Sequence, residues 1–234
     1  MAELNSDVVN DFWRKRGERR PGLAFESICN LEEDPERLAL KIKAETERIF
    51  SLLTLSPDMR LLDLGAGCGQ WAVRFAPLLK EVVAVERVPA LCEIGAAEAA
   101  RRGLDNIRFV NRSAEDFRSK ETFDLVLISG LFMYLNDQQA EAVAAGVPGH
   151  LAAGGRLLLR ETTCLLDQRY VIDKYSHNLK DNYAALYRTR DEFVELFQAR
   201  GLKLEKDGWM FDDGFVLNKF TETRMRYYLF QAGS

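Results

Sequence analysis

Histidine and cysteine are scarce in this chain of 234 residues, which contains two histidines and four cysteines. No two cysteines form a C-x-x-C pair, the spacing found in many zinc sites. Four scattered cysteines also fall short of the cysteine density of a small secreted domain held by disulfides. The sequence therefore predicts neither a metal site nor a disulfide framework.

The chain also lacks an excess of positive charge and a long apolar run. It has 32 Lys and Arg residues against 36 Asp and Glu residues, a net charge of −4. Proteins that hold nucleic acid usually present a basic face, so we expect no stable nucleic-acid partner. No apolar run reaches the roughly 18 residues of a membrane span. Because residues 1–7 carry no export signal either, we expect a cytoplasmic protein.

A hydrophobic content of 47% and this length suffice for one well-buried domain, which we expect to span residues 1–234. Its most informative segment runs from residue 60 to residue 75, where an apolar strand ends in Leu62-Asp63-Leu64-Gly65-Ala66-Gly67-Cys68-Gly69. Three glycines let the backbone turn sharply and approach a ligand, and the helix that follows presents free N–H groups to it. The pattern predicts a strand, a turn and a helix that bind a nucleotide.

Two acidic residues narrow the nature of that nucleotide. Glu86 ends the next apolar strand, about 20 residues past the first glycine, where an acid can accept hydrogen bonds from ribose hydroxyls. Asp63 precedes the turn, where a carboxylate can hold N–H groups or neutralise a cationic ligand but would lie badly beside a pyrophosphate. These positions disfavour NAD.

With these residues the segment resembles motif I of the class I S-adenosylmethionine-dependent methyltransferases. The resemblance continues in the family's order to about residue 161. Residues 113–117, Ser-Ala-Glu-Asp-Phe, are similar to the loop on the adenine side, and Gly154-Gly155 precede the expected fifth strand.

The resemblance implies a three-layer, Rossmann-like α/β fold. Its seven-stranded sheet would be mostly parallel with an antiparallel last strand, and helices would cover both faces. The cofactor, S-adenosylmethionine, would lie at the carboxyl ends of the strands. The implied cofactor contacts in the core, residues 35–161, are Asp63, Gly65, Ala66, Gly67, Gly69, Glu86, Arg87, Ser113, Ala114, Glu115, Ser129 and Gly130.

Two segments outside this core are expected to complete the site, while residues 189–234 complete the sheet. In similar methyltransferases an N-terminal extension closes over the cofactor, and Trp13 and Arg16 are the candidate contacts of such a lid within residues 1–34. Both residues belong to a basic segment, residues 13–20, whose alternative interpretation is the solvated end of a helix. Residues 162–188 are rich in polar aromatic residues and are predicted to bind the acceptor, unless these rings only pack against the sheet edge.

Methyl transfer from a sulfonium is a displacement on an activated carbon, so positioning can supply much of the rate and no metal is required. A hydroxyl or ammonium acceptor must also lose a proton, and the candidate bases are His177, Tyr134 and Glu161. A carboxylate or phosphate acceptor needs no base.

The absence of two sequence patterns narrows the range of possible acceptors. Residues 129–132, Ser-Gly-Leu-Phe, replace the Asn/Asp-Pro-Pro-Tyr tetrad of adenine, cytosine and glutamine methyltransferases, and the acidic hairpin of arginine methyltransferases is not evident. A hydroxyl, amine, carboxylate or phosphate of a small molecule or saccharide remains. The basic residues that would suit an anionic acceptor are Arg160, Arg169, Lys174 and Arg188.

Two other functions stay open: a methyltransferase that acts on RNA or protein, and a nucleotide-binding protein such as an NAD-dependent dehydrogenase or a non-catalytic module. The sequence also leaves the oligomeric state open.

Overall fold

The computed structural model describes residues 3–18, 24–32, 34–177 and 179–233. The helices are α1 (Ser6–Glu18), α2 (Phe25–Asn30), α3 (Pro35–Leu52), α4 (Gln70–Phe75), α5 (Pro89–Arg101), α6 (Asp137–His150) and α7 (Arg190–Gln198). The strands are β1 (Arg60–Leu64), β2 (Glu81–Glu86), β3 (Ile107–Asn111), β4 (Phe123–Ser129), β5 (Leu151–Cys164), β6 (Tyr170–Ser176), β7 (Asp181–Tyr187), β8 (Leu202–Trp209) and β9 (Thr223–Ala232).

Seven strands form one sheet in the order β3-β2-β1-β4-β5-β9-β8. β1 to β5 pair in parallel, and β9 is antiparallel to both of its neighbours, β5 and β8. The chain changes direction across the sheet between β1 and β4, which places a crevice at their carboxyl ends. The expected fold class is thereby confirmed, including the antiparallel last strand.

The strands bury side chains on both faces, which explains their nearly continuous apolar sequences. Leu62 faces a layer that contains Val143 of α6 and Phe197 of α7. Its neighbour Leu61 faces the other layer, with Ile49 of α3 and Phe75 of α4. Alternation along β1 thus fills two cores, one on each face of the sheet.

Local capping signals set several helix ends. Asp34 accepts a hydrogen bond from the N–H of Arg37 at 2.9 Å, and Pro35 is the first residue of α3. Thr189 and Glu192 form a capping box at the start of α7.

The segment after the expected fifth strand differs from its sequence-based description. β5 continues to Cys164, three residues past the predicted end at Glu161, because it pairs with β9 along its whole second half. Most of the remainder forms a separate two-stranded sheet of β6 and β7. This hairpin packs against α1, where Phe12 contacts the ring of Tyr183.

Candidate active site

A cavity of about 350 Å³ lies at the carboxyl ends of the parallel strands. One side is lined by the glycine turn and by residues that follow β2 and β3. The other side is lined by Trp13 of α1, Tyr134, α3, the end of β5, the hairpin, and residues between β8 and β9 and at the start of β9. We call these the cofactor side and the acceptor side.

The glycine turn lines the cofactor side through Gly65, Ala66 and Gly67. Gly67 has a φ of +58°, and a Cβ there would lie 2.7 Å from Cys29 Sγ, so only glycine fits. Gly69 does not line the cavity. A Cβ at Gly69 would lie 2.6 Å from the ring of Phe109, so this glycine is needed for packing beneath the turn.

Glu86 lines the cofactor side and is 8% exposed. Its carboxylate accepts hydrogen bonds from the N–H of Gly67 at 2.9 Å and of Val88 at 2.8 Å. Burial raises the pKa of Glu86, and these two amide hydrogen bonds oppose that rise. The backbone therefore holds this carboxylate at the cavity wall, where its remaining lone pairs can accept from hydroxyl groups.

Asp63 lies below the turn and not at the cavity wall. It is 1% exposed, and its Oδ2 has no hydrogen-bond partner among the described residues. Burial, with a smaller contribution from the charge of Glu86, raises the pKa of Asp63 to about 8. Its predicted contact with a cationic ligand is therefore corrected: the side chain is enclosed by the sheet and the turn.

Arg87, Ala114 and Glu115, three of the predicted cofactor contacts, line the cavity. Ser113 does not, because its hydroxyl is turned to Asp116 and donates to Oδ2 at 2.7 Å. A side chain used for this local turn does not face the cavity.

The two candidate lid residues on α1 have different roles. Trp13 lines the cavity and packs edge-to-face on Tyr134, with ring centroids 5.2 Å apart. Arg16 is buried and does not line the cavity. Its guanidinium donates to the carbonyl oxygens of Ser27 at 2.9 Å and Ile28 at 3.0 Å. Arg16 thus joins α1 to α2, which corrects its assignment as a cofactor contact. Arg19 and Arg20 lie outside the described residues.

The three candidate bases are also separated by the fold. His177 is exposed at the turn of the hairpin, where it contacts the ring of Tyr175 and does not line the cavity. Its assignment as a base is corrected, because the hairpin directs other residues, Tyr183 and Tyr187 of β7, to the cavity.

Glu161 is fully buried and lies behind the cavity wall. One carboxylate oxygen accepts from the N–H groups of Leu131 at 2.8 Å and Phe132 at 2.9 Å. Burial raises the pKa of Glu161 to about 7, against the effect of these two hydrogen bonds. This carboxylate holds the loop after β4 and is not placed to take a proton from a bound acceptor.

Tyr134 is the candidate base that does line the cavity. Its hydroxyl lies 3.2 Å from the hydroxyl of Tyr183, and burial raises the pKa of both tyrosines. A phenol whose pKa is raised stays protonated near neutral pH, so Tyr134 is suited to orient an acceptor by hydrogen bonding.

The loop after β4 links the two sides of the cavity. Ser129 and Gly130, two of the predicted cofactor contacts, line the cavity, and Ser129 Oγ accepts hydrogen bonds from Trp71 Nε1 at 3.1 Å and from Arg160 Nη1 at 3.0 Å.

Comparisons with known proteins agree with this geometry. A family model described as a methyltransferase domain matches residues 61–155. The 23S rRNA (uracil(1939)-C(5))-methyltransferase RlmD of Alkalilimnicola ehrlichii is 29% identical over 161 residues, which is 62% of this chain and 36% of that protein. The chain therefore spans about a third of the length of that curated relative.

Two solved structures share the fold over nearly the whole chain. The DhpI–SAH complex has a TM-score of 0.70 at 17% identity and covers 97% of both chains. Phosphoethanolamine N-methyltransferase 1 of Haemonchus contortus, in complex with phosphoethanolamine and S-adenosylhomocysteine, has a TM-score of 0.76 at 17% identity. It covers 98% of this chain and 49% of that one.

The segment of residues 61–155 is a methyltransferase domain, and the fold around it is that of the class I S-adenosylmethionine-dependent methyltransferases. The cofactor side of the cavity fits S-adenosylmethionine. The main chain of Gly65, Ala66 and Gly67 is exposed along this side, and the buried carboxylate of Glu86 at its wall could accept hydrogen bonds from ribose hydroxyls. Among the described residues no group of three or more His, Cys, Asp or Glu side chains is arranged to hold a metal ion.

The acceptor side of the cavity also contains residues that were not predicted from the sequence. α3 contributes Lys41, Glu45 and Thr46, and the segment between β8 and β9 contributes Lys219. A polar pair at positions 41 and 45, four residues apart on one helix face, was the available signal. This signal does not by itself indicate a site, because packing of the apolar face of α3 is sufficient to explain the helix.

Three of the four basic residues expected to attract an anion do not line the cavity. Arg169 pairs with Asp137, and Arg188 pairs with Asp137 and donates to the carbonyl oxygen of Phe132 at 2.7 Å. Lys174 is exposed on the hairpin and does not line the cavity. Arg160 does line the acceptor side.

No helix within the described part of the chain has the length and apolar character needed to cross a membrane.

Proposed function

We propose that this chain transfers the methyl group of S-adenosylmethionine to a hydroxyl, amine or acidic oxygen of a small-molecule or saccharide acceptor. The observation that carries the proposal is the continuity of the cavity, which runs from Glu86 on the cofactor side to Tyr134 and Arg160 on the acceptor side. A cavity of about 350 Å³ is in the size range of small-molecule sites.

The chain's own residues would act mainly by placing the acceptor. Trp13, Tyr134 and Tyr183 form one aromatic wall, in which Tyr134 contacts both of the other rings. Its two phenol hydroxyls, those of Tyr134 and Tyr183, would offer hydrogen bonds to a polar acceptor in the cavity. Because the sulfonium carbon is already activated, alignment of the acceptor atom can supply much of the rate without a metal.

An RNA acceptor is the second candidate, because RlmD, the curated relative described above, is named as an rRNA methyltransferase. Against it stand the net charge of −4 and the volume of the cavity, about 350 Å³, which is in the range of small-molecule sites.

The test begins with calorimetric titration of S-adenosylmethionine, S-adenosylhomocysteine and NAD. We expect the first two ligands to bind and NAD not to bind; binding of NAD alone would overturn the assignment of the cofactor. A panel of small acceptors and a preparation of ribosomal RNA are then compared by the S-adenosylhomocysteine released. Turnover with RNA and with no small molecule would favour the second candidate.

Once an acceptor is identified, substitutions of the candidate bases test their roles. His177→Ala should leave turnover unchanged, whereas Tyr134→Phe should raise the KM for the acceptor several-fold by removal of one hydrogen bond. A loss of 10²–10⁴ in turnover for His177→Ala would restore that residue as the base.

A further inference from the structure

The acceptor side has an excess of positive charge on the wall formed by α3 and β5. Lys41 and Glu45, one helical turn apart on α3, both line the cavity, as does Arg160 of β5. Arg160 and Glu45 form a buried ion pair, in which the two residues are 7% and 3% exposed. Glu45 is therefore already occupied by one cation.

The neighbouring cations of this side have carboxylate partners as well. Arg74 pairs with Glu26 at 2.5 Å, Lys219 with Glu32 at 2.7 Å and Arg224 with Asp213 at 2.7 Å.

Lys41 differs from these cations. Its ammonium group donates to the carbonyl oxygen of Asn30 at 3.1 Å, and no carboxylate among the described residues lies within ion-pair distance of it. An ammonium group has three donors, so this contact leaves two of them for a ligand.

The surroundings of Lys41 make an unbalanced charge costly. Burial lowers the pKa of Lys41; the carboxylates of Glu45 and Glu32 act to raise this pKa, and the cations of Arg160 and Lys219 lower it further. Lys41, Arg160 and Lys219 thus share two carboxylates at this wall of the cavity, which leaves one positive charge in excess. Arg160 Nε also has no hydrogen-bond partner among the described residues. A bound anion would offset the excess charge and supply acceptors to these donors.

We propose that Lys41 binds an oxyanion of the acceptor, a phosphate or a carboxylate, and thereby determines which acceptors the enzyme takes. The proposal rests on the proposed function, because it assigns the acceptor side of the same cavity. Arg160, held by Glu45 and Ser129, supplies the fixed positive charge beside Lys41.

The experiment uses the full chain saturated with S-adenosylhomocysteine, so that an added anion cannot occupy the cofactor side. Inorganic phosphate and acetate are titrated separately by calorimetry, which distinguishes the two oxyanions. Lys41→Met should weaken the binding of the preferred anion about tenfold or more, and Lys41→Arg should retain most of it.

Lys43→Met is the matched control, because Lys43 lies two residues along the same helix and is exposed. It should bind the anion as the unaltered chain does. Without added anion, Lys41→Met should keep or raise the melting temperature, since it removes an unbalanced charge. If Lys41→Met does not fold, Lys41→Gln takes its place in the titration.

Three results would overturn the proposal. The first is that neither anion binds the unaltered chain, and the second is that the anion binds Lys41→Met as tightly as it binds the unaltered chain. The third is that Lys41→Met loses affinity for S-adenosylhomocysteine and keeps its affinity for the anion. The last result would assign Lys41 to the carboxylate of the cofactor. Failure of the unaltered chain to bind S-adenosylhomocysteine would instead contradict the proposed function. In that case the same titrations, performed without it, still decide the role of Lys41.

Discussion

The two sides of the cavity are built by different means. The cofactor side comes from consecutive elements between residues 65 and 115, and its shape depends on the main chain: a glycine without a Cβ and a carboxylate held by two backbone N–H groups. The acceptor side comes from side chains as distant in sequence as Trp13 and Met225. The first side is set by local geometry, whereas the second depends on how remote segments pack.

This difference explains how one core can serve different acceptors. Backbone geometry tolerates little change, because a Cβ in the turn meets its neighbours directly. Side chains on α1, α3 and the hairpin can be exchanged without disturbing the sheet that carries them. We therefore expect substitutions on the cofactor side to weaken cofactor binding, and those on the acceptor side to change turnover and specificity.

The largest effect is expected at the glycine turn. Gly67→Ala places a methyl group 2.7 Å from Cys29 Sγ in a backbone with positive φ, so the affinity for S-adenosylmethionine should fall about a hundredfold or more. Gly103→Ala is the matched control, because Gly103 also has positive φ (+68°) but nothing within 4 Å of its Cβ position. Calorimetric titration of both variants measures the difference. Equal affinities would show that the turn does not bind the cofactor through its main chain.

The next largest effect is expected at Glu86, whose carboxylate lines the cofactor side. Glu86→Ala should weaken cofactor binding about tenfold to a hundredfold, because charge-assisted hydrogen bonds to the ribose are lost. Glu81 lies at the other end of β2 and pairs with Arg60 at 2.6 Å, so Glu81→Ala should leave affinity unchanged. The ribose assignment fails if both variants bind the cofactor as the unaltered chain does.

One buried carboxylate lies beneath each side, and both make stability depend on pH. The pKa is raised to about 8 for Asp63 and to about 7 for Glu161, chiefly by burial. Each group binds its proton more tightly in the folded chain than in the unfolded chain. Its contribution to stability is therefore full below the ordinary pKa of a carboxyl group and is lost as pH rises through the folded value.

The free energy of unfolding should accordingly fall by on the order of 2 kcal/mol per carboxyl group between about pH 5 and about pH 8. Asp63→Asn and Glu161→Gln should each remove part of this slope, which urea unfolding at the two pH values measures. A slope that neither substitution alters would mean that these carboxyl groups are ionised in the folded chain.

The smallest effect is expected on the acceptor side. Trp13→Leu removes a ring that packs on Tyr134, so turnover with an identified acceptor should fall about tenfold while cofactor affinity changes less. Arg14 is the control: its side chain is 55% exposed and pairs with Asp11 and Glu18, so Arg14→Ala should be without effect. A greater loss of cofactor affinity than of turnover would place Trp13 on the cofactor side.

Most of the fold could be predicted from local signals. Apolar strands, the glycine turn, Pro35 and the capping box at Thr189 each act within a few residues, and the structure confirms the elements they predict. The end of β5 could not be predicted in this way, because its last residues are strand only through pairing with β9, some 60 residues later in the chain.

The candidate site shows the same distinction between features set by local sequence and features set by tertiary packing. The sequence by itself determined the cofactor side, since the positions of Gly67 and Glu86 follow from one strand-turn-helix unit and the strand beside it. Only the tertiary structure decided which side chains reach the acceptor. In the folded chain His177 is exposed, Glu161 is buried behind the cavity wall, and Arg16 joins α1 to α2. Lys41 lines the cavity. The physical reason is that local geometry follows from neighbouring residues, whereas the direction and charge balance of a side chain depend on segments that meet only when the chain is folded.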